Sequence, residues 1–317
     1  MTPPLWQLWE GATLKRLGDI PDGTIQCVVT SPPYFGLRDY GLAPTSWGDG
    51  WVGQLGLEEH PDQYVDHLLE VFAEVHRVLR PDGVLWLNLG DSYASHGGQR
   101  GAGKGPALNG TPQEMRGQPQ GHRLTPAGFK RKDMLGIPWT VALALRDAGW
   151  YLRSDIVWEK PNAMPESVTD RPTTSHEYLF MLAKSGKYFY DAKAIREPDK
   201  GTDHPRKVLH KPEPSGGLAP PNTGIPKAAG RNGNGRNKRT VWTIATVPYK
   251  GAHFATFPPK LIEPCILSSS RPGSIVLDPF AGVGTTLMVA VGAGRRALGI
   301  ELNPKHVGEA RGRIAAV

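Results

Sequence analysis

The sequence has only two cysteines, Cys27 and Cys265, among 317 residues. Two thiols are too few for a disulfide framework or a cysteine-based metal site, so neither is expected. No stretch of about 18 consecutive apolar residues occurs, which argues against a membrane-spanning helix. The first residues also lack the basic start and long apolar run of a signal peptide. These absences predict a cytoplasmic protein with no membrane contact and no bound metal.

The chain carries an excess of positive charge. Its formal net charge is +7 and its pI is near 9.4, which weakly favours a polyanionic partner. Basic residues concentrate in two segments poor in apolar residues, at about 95–132 and about 191–239. Neither segment can bury enough apolar surface to fold alone, so both are predicted to be flexible basic insertions. They are either plain surface loops or loops that contact phosphates.

The remaining sequence alternates between strand and helix patterns. Short apolar runs typical of buried strands are interleaved with segments of helical periodicity. Strands are predicted at 25–30, 84–89, 151–159, 176–183, 274–277 and 296–301, and helices at 62–79, 138–148, 285–293 and after residue 304. This alternation predicts an α/β fold with a mostly parallel sheet covered by helices on both faces.

A glycine-rich turn, Asp278-Pro279-Phe280-Ala281-Gly282-Val283-Gly284, lies between a predicted strand and a predicted helix. Open α/β sheets bind ligands at the carboxyl ends of their strands, and glycine lets the backbone approach a ligand closely. Glu301 ends the next strand, where a carboxylate can accept hydrogen bonds from both hydroxyls of a ribose. The third glycine of a dinucleotide site and the lysine of a P-loop are missing. The turn therefore predicts a nucleoside-like cofactor, the alternative being a turn without a ligand.

A second cluster, Ser31-Pro32-Pro33-Tyr34, directly follows the predicted strand 25–30. Proline has a fixed φ and no N–H, so two prolines stiffen the backbone and leave its carbonyls free as acceptors. These carbonyls and the Ser31 hydroxyl can hold a planar amine, while Tyr34 offers a flat face for stacking and Phe35 can back it. The alternative is an ordinary proline-stiffened turn.

The glycine turn together with Gly299-Ile300-Glu301 resembles the S-adenosylmethionine site of amino-group DNA methyltransferases. The segment 253–258 resembles the part of that family that packs against the methionine portion of the cofactor. The resemblance implies a Rossmann-like, doubly wound fold of the circularly permuted class I type. It assigns cofactor contacts to Asp278, Phe280, Ala281, Gly282, Gly284, Thr285, Glu301, Phe254 and Thr256.

The order of the two motifs carries further information. The amine-holding cluster precedes the glycine turn by roughly 240 residues, an order that resembles the beta group of the family, of restriction-modification type. Residues 1–190 would form the catalytic half, with the insertion at about 95–132. Residues 191–240 would be a variable basic target-recognition region, and 241–317 the S-adenosylmethionine-binding half. Protein glutamine methyltransferases and many RNA enzymes have the opposite order.

The resemblance implies methyl transfer to a base flipped out of double-stranded DNA, with Ser31, Pro32, Pro33 and Tyr34 as catalytic residues that act mainly by positioning. The base pocket would comprise Phe35, Trp158, Lys160 and His176. Contacts to DNA are assigned to Arg123, Lys130, Arg131, Lys132, Arg231, Arg236, Lys238 and Arg239. A cognate restriction endonuclease is a further possible partner, and the protein would act as a monomer or homodimer.

Serine at the first position of the cluster favours N4 of cytosine over N6 of adenine, which remains the alternative. The same residues also leave open a catalytically silent DNA-binding relative and a methyltransferase that acts on RNA or a small amine. Neither Cys27, inside a strand, nor Cys265, in a predicted helix, is placed as the nucleophile of a cytosine C5 enzyme. The sequence departs from the family at Gly11-Ala12, where an acid that meets the cofactor adenine is common.

Overall fold

The computed structural model describes residues 4–37, 39–94, 125–198, 235–247 and 256–317. These ranges contain ten strands, in chain order β1 Trp6–Glu10, β2 Ile25–Thr30, β3 Thr45–Ser46, β4 Val52–Gly53, β5 Leu79–Leu89, β6 Tyr151–Glu159, β7 His176–Ala183, β8 Val241–Thr243, β9 Ile275–Asp278 and β10 Arg296–Glu301. The α-helices are α1 Thr13–Gly18, α2 Pro61–Val78, α3 Ile137–Asp147, α4 Pro259–Ser269, α5 Thr285–Gly292 and α6 Pro304–Ala315, and a 3-10 helix spans Ala192–Ile195.

One eight-stranded sheet organises the molecule, in the order β1-β10-β9-β2-β5-β7-β6-β8. The first five strands in this order, β1, β10, β9, β2 and β5, pair in parallel. Strand β7 is antiparallel to both β5 and β6, and β8 pairs in parallel with β6. The short strands β3 and β4 form a separate hairpin. The predicted mostly parallel α/β sheet is thus confirmed.

The sheet has a buried cluster on each face because successive strand residues point in opposite directions. Val28 and Leu85 belong to one cluster, whereas their chain neighbours Val29 and Trp86 belong to the other. All six residues of β2 are buried, which explains why the sequence of this central strand is mostly apolar rather than alternating. The helices therefore cover both faces, as the sequence pattern predicts.

Some boundaries differ from the sequence prediction. β5 begins at Leu79, so Pro81, Asp82 and Gly83, predicted to separate helix from strand, lie within the strand. The pairing of β2 with β5 shifts in register at this point, which accommodates a proline that cannot donate a ladder hydrogen bond. Strands β1 and β8 and helix α1 were not predicted, because they are short and only partly apolar. Within the described ranges, no helix is long and apolar enough to cross a membrane.

Candidate active site

The two motifs, far apart in sequence, meet at the carboxyl edge of the sheet. β2 and β9 are adjacent and parallel, with Cys27 opposite Val276. The hydroxyl of Thr30, the residue before the amine-holding cluster, donates a 2.6 Å hydrogen bond to Asp278 Oδ1, at the start of the glycine turn. This bond joins the two halves of the site directly, so both motifs line one region of the molecule.

The Asp278 side chain connects these two halves of the site through hydrogen bonds. Its carboxylate is 1% exposed and also accepts from Thr286 Oγ1 at 2.7 Å and from the Phe280 N–H at 3.1 Å. The protein's own donors thus occupy both carboxylate oxygens. The cofactor contact that we predicted for this residue stays a prediction. Burial is the main cause that raises the pKa of Asp278 to about 6, and the negative charge of Glu301 adds to the rise.

The raised pKa of Asp278 predicts a specific pH dependence of stability. The folded state binds a proton on the Asp278 carboxylate more tightly than the unfolded chain does. The free energy of unfolding therefore rises as the pH falls through about 6, the pKa in the folded state, towards 3.8, the ordinary pKa of aspartate. Between pH 7.5 and pH 5, this group should stabilise the wild-type protein by about 1 kcal/mol relative to Asp278→Asn. Urea unfolding of both proteins at the two pH values checks this, and identical pH dependences would contradict it.

The glycine turn is shaped by its contacts with β10 and α6. Gly282 has φ +52° and donates its N–H to Glu301 Oε2 at 2.8 Å. Gly284 has φ +76°, and a Cβ there would lie 3.0 Å from Ala310 and Ile314 of α6. The positive φ and the close packing against α6 both favour a glycine at position 284. The carboxylate of Glu301 also accepts from the Asn303 N–H at 2.8 Å.

The other predicted cofactor residues surround this turn. Phe280 and Thr256 are half-buried, whereas Ala281 and Thr285 are buried. The Thr285 hydroxyl accepts a 3.3 Å hydrogen bond from the Arg313 guanidinium, so its visible role is to connect the turn to α6. Phe254 lies outside the described residues. The turn backbone with the Glu301 carboxylate beside it, at two adjacent strand ends, is a combination that suits a ribose-containing ligand.

The amine-holding cluster keeps some of its acceptors available. Tyr64 on α2 donates its hydroxyl to the Pro33 carbonyl at 2.8 Å, so this carbonyl is used within the protein. In the part of the chain that the structure describes, no donor pairs with the Pro32 carbonyl. The acceptors left for an amine are thus the Pro32 carbonyl and the Ser31 hydroxyl. Tyr64 was missed by the sequence analysis because its helix is far from the cluster in sequence.

The Tyr34 hydroxyl lies at the centre of a hydrogen-bond network. It donates to Glu177 Oε2 at 2.8 Å, lies 3.2 Å from Asn88 Oδ1 and accepts from Ser31 Oγ at 3.3 Å. Burial, followed by the nearby charge of Glu177, holds the pKa of Tyr34 well above its usual value. The phenol is therefore neutral at physiological pH and acts as a hydrogen-bond relay rather than as an anion.

Glu177 and Asn88 are site residues that the sequence analysis did not identify. Glu177 forms a close ion pair with Lys160, and each side chain is less than a fifth exposed. Asn88 donates to Glu177 Oε2 at 3.1 Å and to the Tyr178 carbonyl at 3.0 Å. A signal was present for Asn88, since it is the one polar residue in the apolar run 84–89. Glu177 has no such local signal, because it is the second residue of a strand whose pairing depends on the fold.

Gly90 provides the space in which the Tyr34 ring lies. A Cβ at position 90 would be 2.7 Å from Tyr34 Cε2, so Gly90→Ala must displace the ring. Because misplacement by about 1 Å can cost 10²-fold in rate, we expect Gly90→Ala to lower the kcat/KM of the reaction at this site by roughly 10- to 100-fold. Gly308→Ala, in helix α6 with no atom within 4 Å of the new methyl group, is the matched control and should keep full activity. Equal activities of the two variants would contradict this role of Gly90.

The predicted base-pocket residues occupy different environments. Lys160 reaches the Tyr34 network through Glu177, and His176 is exposed with its ring edge-on to Tyr178 at 5.3 Å. Phe35 is buried against Tyr64, with ring centroids 5.7 Å apart, and therefore packs in the core. Trp158 is 3% exposed and donates to the Ile244 carbonyl. Lys160 lies over its ring and connects it to the Tyr34 network through Glu177.

The predicted DNA-contacting cations are in part paired with acids of the protein itself. Arg236 and Arg239 both bind Glu197, and Lys238 lies over the Trp242 ring. Lys132 is paired with Asp170, and Lys130 lies 3.9 Å from Asp133. Arg131 is exposed. Arg123 and Arg231, together with most of both basic insertions, lie outside the described residues.

Both cysteines lie away from this site. Cys27 is inside β2 and Cys265 inside α4, and both are fully buried. Burial raises the pKa of each thiol far above its usual value, so neither is poised as a thiolate nucleophile. This agrees with the interpretation of both as packing residues.

The site thus combines a glycine turn, a carboxylate beside it and an amine-holding cluster at the carboxyl edge of a mostly parallel α/β sheet. The chain belongs to the N6_N4_Mtase family of DNA methylases, whose model matches residues 25–311. It is 48% identical over 307 residues to the type II methyltransferase M.XycI of Xanthomonas campestris pv. cyanopsidis, covering 97% of this chain and 87% of the relative. It is 47% identical to M.Cfr9I of Citrobacter freundii, with the same coverage.

Two solved structures show the same fold. TTHA0409 of Thermus thermophilus, a putative DNA modification methylase determined with S-adenosyl-L-methionine, superposes with a TM-score of 0.57 at 25% identity, covering 98% of this chain and 93% of that one. The PvuII DNA methyltransferase, which is cytosine-N4-specific, gives a TM-score of 0.62 at 20% identity, covering 97% and 86%. The latter identity is low enough that the likeness supports the fold alone.

Proposed function

We propose that this protein is a type II DNA methyltransferase that transfers a methyl group from S-adenosylmethionine to the N4 amine of cytosine in double-stranded DNA. The observation that carries the proposal is the Thr30–Asp278 hydrogen bond, since Thr30 directly precedes the amine-holding cluster and Asp278 begins the glycine turn. The names of M.XycI and M.Cfr9I, type II methyltransferases close to this chain in sequence, support the type II assignment.

S-adenosylmethionine supplies an electrophilic methyl group on a sulfonium, for which the Gly282 backbone and the Glu301 carboxylate provide the nucleoside side of the site. The Pro32 carbonyl and the Ser31 hydroxyl accept hydrogen bonds from the exocyclic amine. These bonds draw the nitrogen lone pair out of conjugation with the ring and direct it towards the methyl group. Catalysis of this kind relies on orientation, since no covalent enzyme intermediate is required.

Cytosine is favoured because the first residue of the cluster is a serine. Ser31 presents a neutral hydroxyl, already hydrogen-bonded to Tyr34, where the adenine enzymes of the family commonly carry aspartate or asparagine. Adenine N6 is the second candidate, since the same two acceptors can hold either amine. The intact network around Tyr34 argues against a catalytically silent DNA-binding relative.

The proposal includes the division into a catalytic half (1–190), a target-recognition region (191–240) and a cofactor half (241–317). Exposed cations such as Arg131 would contact phosphates. Such contacts make DNA affinity fall steeply with salt concentration, and a flat salt response would remove this part of the proposal. A cognate restriction endonuclease as partner and a cytoplasmic location complete the proposed role.

Product analysis tests the proposed base. Duplex DNA incubated with the purified protein and labelled S-adenosylmethionine is digested to nucleosides, and the labelled nucleoside is identified by mass. N4-methylcytosine is the expected product; N6-methyladenine alone would establish the second candidate and overturn the first. A parallel competition between duplex DNA and RNA should show methylation of DNA only.

A further inference from the structure

A chain of hydrogen bonds leads from the amine-holding cluster to a carboxylate that no motif had indicated. Ser31 Oγ donates to the Tyr34 oxygen at 3.3 Å, and the Tyr34 hydroxyl donates to Glu177 Oε2 at 2.8 Å. An ionised carboxylate attracts a hydroxyl proton more strongly than a neutral amide does, which favours Glu177 over the Oδ1 of Asn88 as the acceptor. The chain therefore runs in one direction, from Ser31 to Glu177.

This direction leaves the lone pairs of Ser31 Oγ for the substrate. Because the Ser31 proton is already donated to Tyr34, the serine oxygen acts as an acceptor towards an amine N–H. The amide of Asn88 is held by the Tyr178 carbonyl and donates to the same Glu177 oxygen. Lys160 pairs with the other oxygen of Glu177, so the carboxylate has a fixed orientation and a balanced charge.

We infer that Glu177 is the terminal acceptor of the proton that the cytosine amine loses on methylation, an inference that rests on the proposed function. The amine nitrogen forms a bond to the methyl carbon as the carbon–sulfur bond breaks and its electron pair stays on sulfur. One amine proton passes to Ser31 Oγ, the Ser31 proton passes to the Tyr34 oxygen, and the Tyr34 proton passes to Glu177 Oε2. The carboxylate becomes a carboxylic acid, and the positive charge of the sulfonium is cancelled.

The relay gives Tyr34 and Glu177 a shared role that a double-mutant cycle can isolate. Single-turnover methyl transfer to duplex DNA is measured for wild type, Tyr34→Phe, Glu177→Gln and the double variant. Each single variant should lose roughly 10²-fold in rate, the lower range for a general acid–base contribution. Because either change breaks the same chain, the double variant should be no slower than the slower single variant. Affinity for S-adenosylmethionine and KM for DNA should stay within about threefold of wild type, since the relay affects the chemical step.

Two further measurements separate a relay from a structural role. The wild-type single-turnover rate should be slower in D₂O, and both single variants should lose this isotope effect. Glu159→Gln is the matched control, because Glu159 lies at the end of β6, is exposed and accepts from Thr243; it should keep the wild-type rate.

The outcomes distinguish the inference from the proposed function. Absence of N4-methylcytosine with wild-type protein rejects the proposed function. If wild type makes this product but Glu177→Gln keeps its rate, or if the two single losses multiply in the double variant, the relay alone is rejected. Should Glu177→Gln not fold, Tyr34→Phe, which removes one oxygen and keeps the ring, decides the matter: a wild-type rate in that variant overturns the relay.

Discussion

Replacing Tyr34 by alanine should nearly abolish methylation of DNA while leaving the binding of S-adenosylmethionine intact. The substitution removes the aromatic face proposed to stack on the flipped base, an interaction worth about 1–3 kcal/mol per base. It also removes the hydroxyl that bonds Ser31, Asn88 and Glu177. Because both stacking and orientation are lost, we expect kcat/KM for DNA to fall by at least about 10³-fold.

Single-turnover methylation and calorimetric titration with S-adenosylmethionine measure these two properties separately. Tyr151→Ala is the matched control, since Tyr151 is 49% exposed and begins β6, at the opposite end of that strand from the site. A Tyr34→Ala variant that methylates DNA within a few-fold of wild type would show that the amine is held elsewhere. A parallel loss of cofactor affinity would instead show that the substitution disturbs the whole carboxyl edge of the sheet.

Glu301→Gln should have the opposite profile, with a large loss of cofactor affinity. The carboxylate lies at the end of β10 and is 11% exposed, where it accepts a hydrogen bond from the Gly282 N–H. Hydrogen bonds to a charged group contribute about 1.5–3 kcal/mol, so the dissociation constant for S-adenosylmethionine should rise by roughly 10- to 100-fold. Glutamine keeps one oxygen that can accept from the Gly282 N–H but loses the acceptor of the Asn303 N–H, so the stability of the variant must be measured beside its cofactor affinity.

Titration with S-adenosylmethionine, together with a melting curve for each variant, checks this prediction. Glu263→Gln, which changes an exposed carboxylate of α4, is the control and should bind like wild type. Unchanged affinity in Glu301→Gln would assign the ribose to another acceptor. The Tyr34 and Glu301 variants thus report on the two strand ends independently, one through the chemical step and the other through cofactor binding.

Much of the fold could be predicted from local patterns. The strands 151–159 and 176–183 were predicted with the bounds that β6 and β7 have in the structure, since their apolar and β-branched residues lie between clear turn signals. The start of β5 could not be predicted, because Pro81 and Gly83 locally indicate the end of a helix rather than part of a strand. Their inclusion in the strand depends on the pairing of Leu79 with Ile25, a residue of another strand far away in sequence.

The candidate site divides in the same way. Ser31, Pro32, Tyr34, Gly282 and Glu301 could be proposed as site residues from the sequence because their chemistry is carried by short motifs at predicted strand ends. Phe35 and Trp158 were assigned to the base pocket, yet the structure packs both in the core. An aromatic residue near a motif is equally compatible with either location until the packing of neighbouring helices and strands is known.

The sequence by itself determined the alternation of strands and helices, the two motifs and their order, because these depend on residues close together in the chain. Only the tertiary structure decided that the Pro33 carbonyl belongs to Tyr64, that Asp278 braces Thr30, and that Glu177 ends the hydrogen-bond chain from Ser31. Each of these contacts joins residues that are far apart in the chain. The separation is 31 residues for Tyr64–Pro33, 248 for Thr30–Asp278 and 143 for Tyr34–Glu177. Hydrogen bonds depend on distance and angle in space, and sequence separation specifies neither.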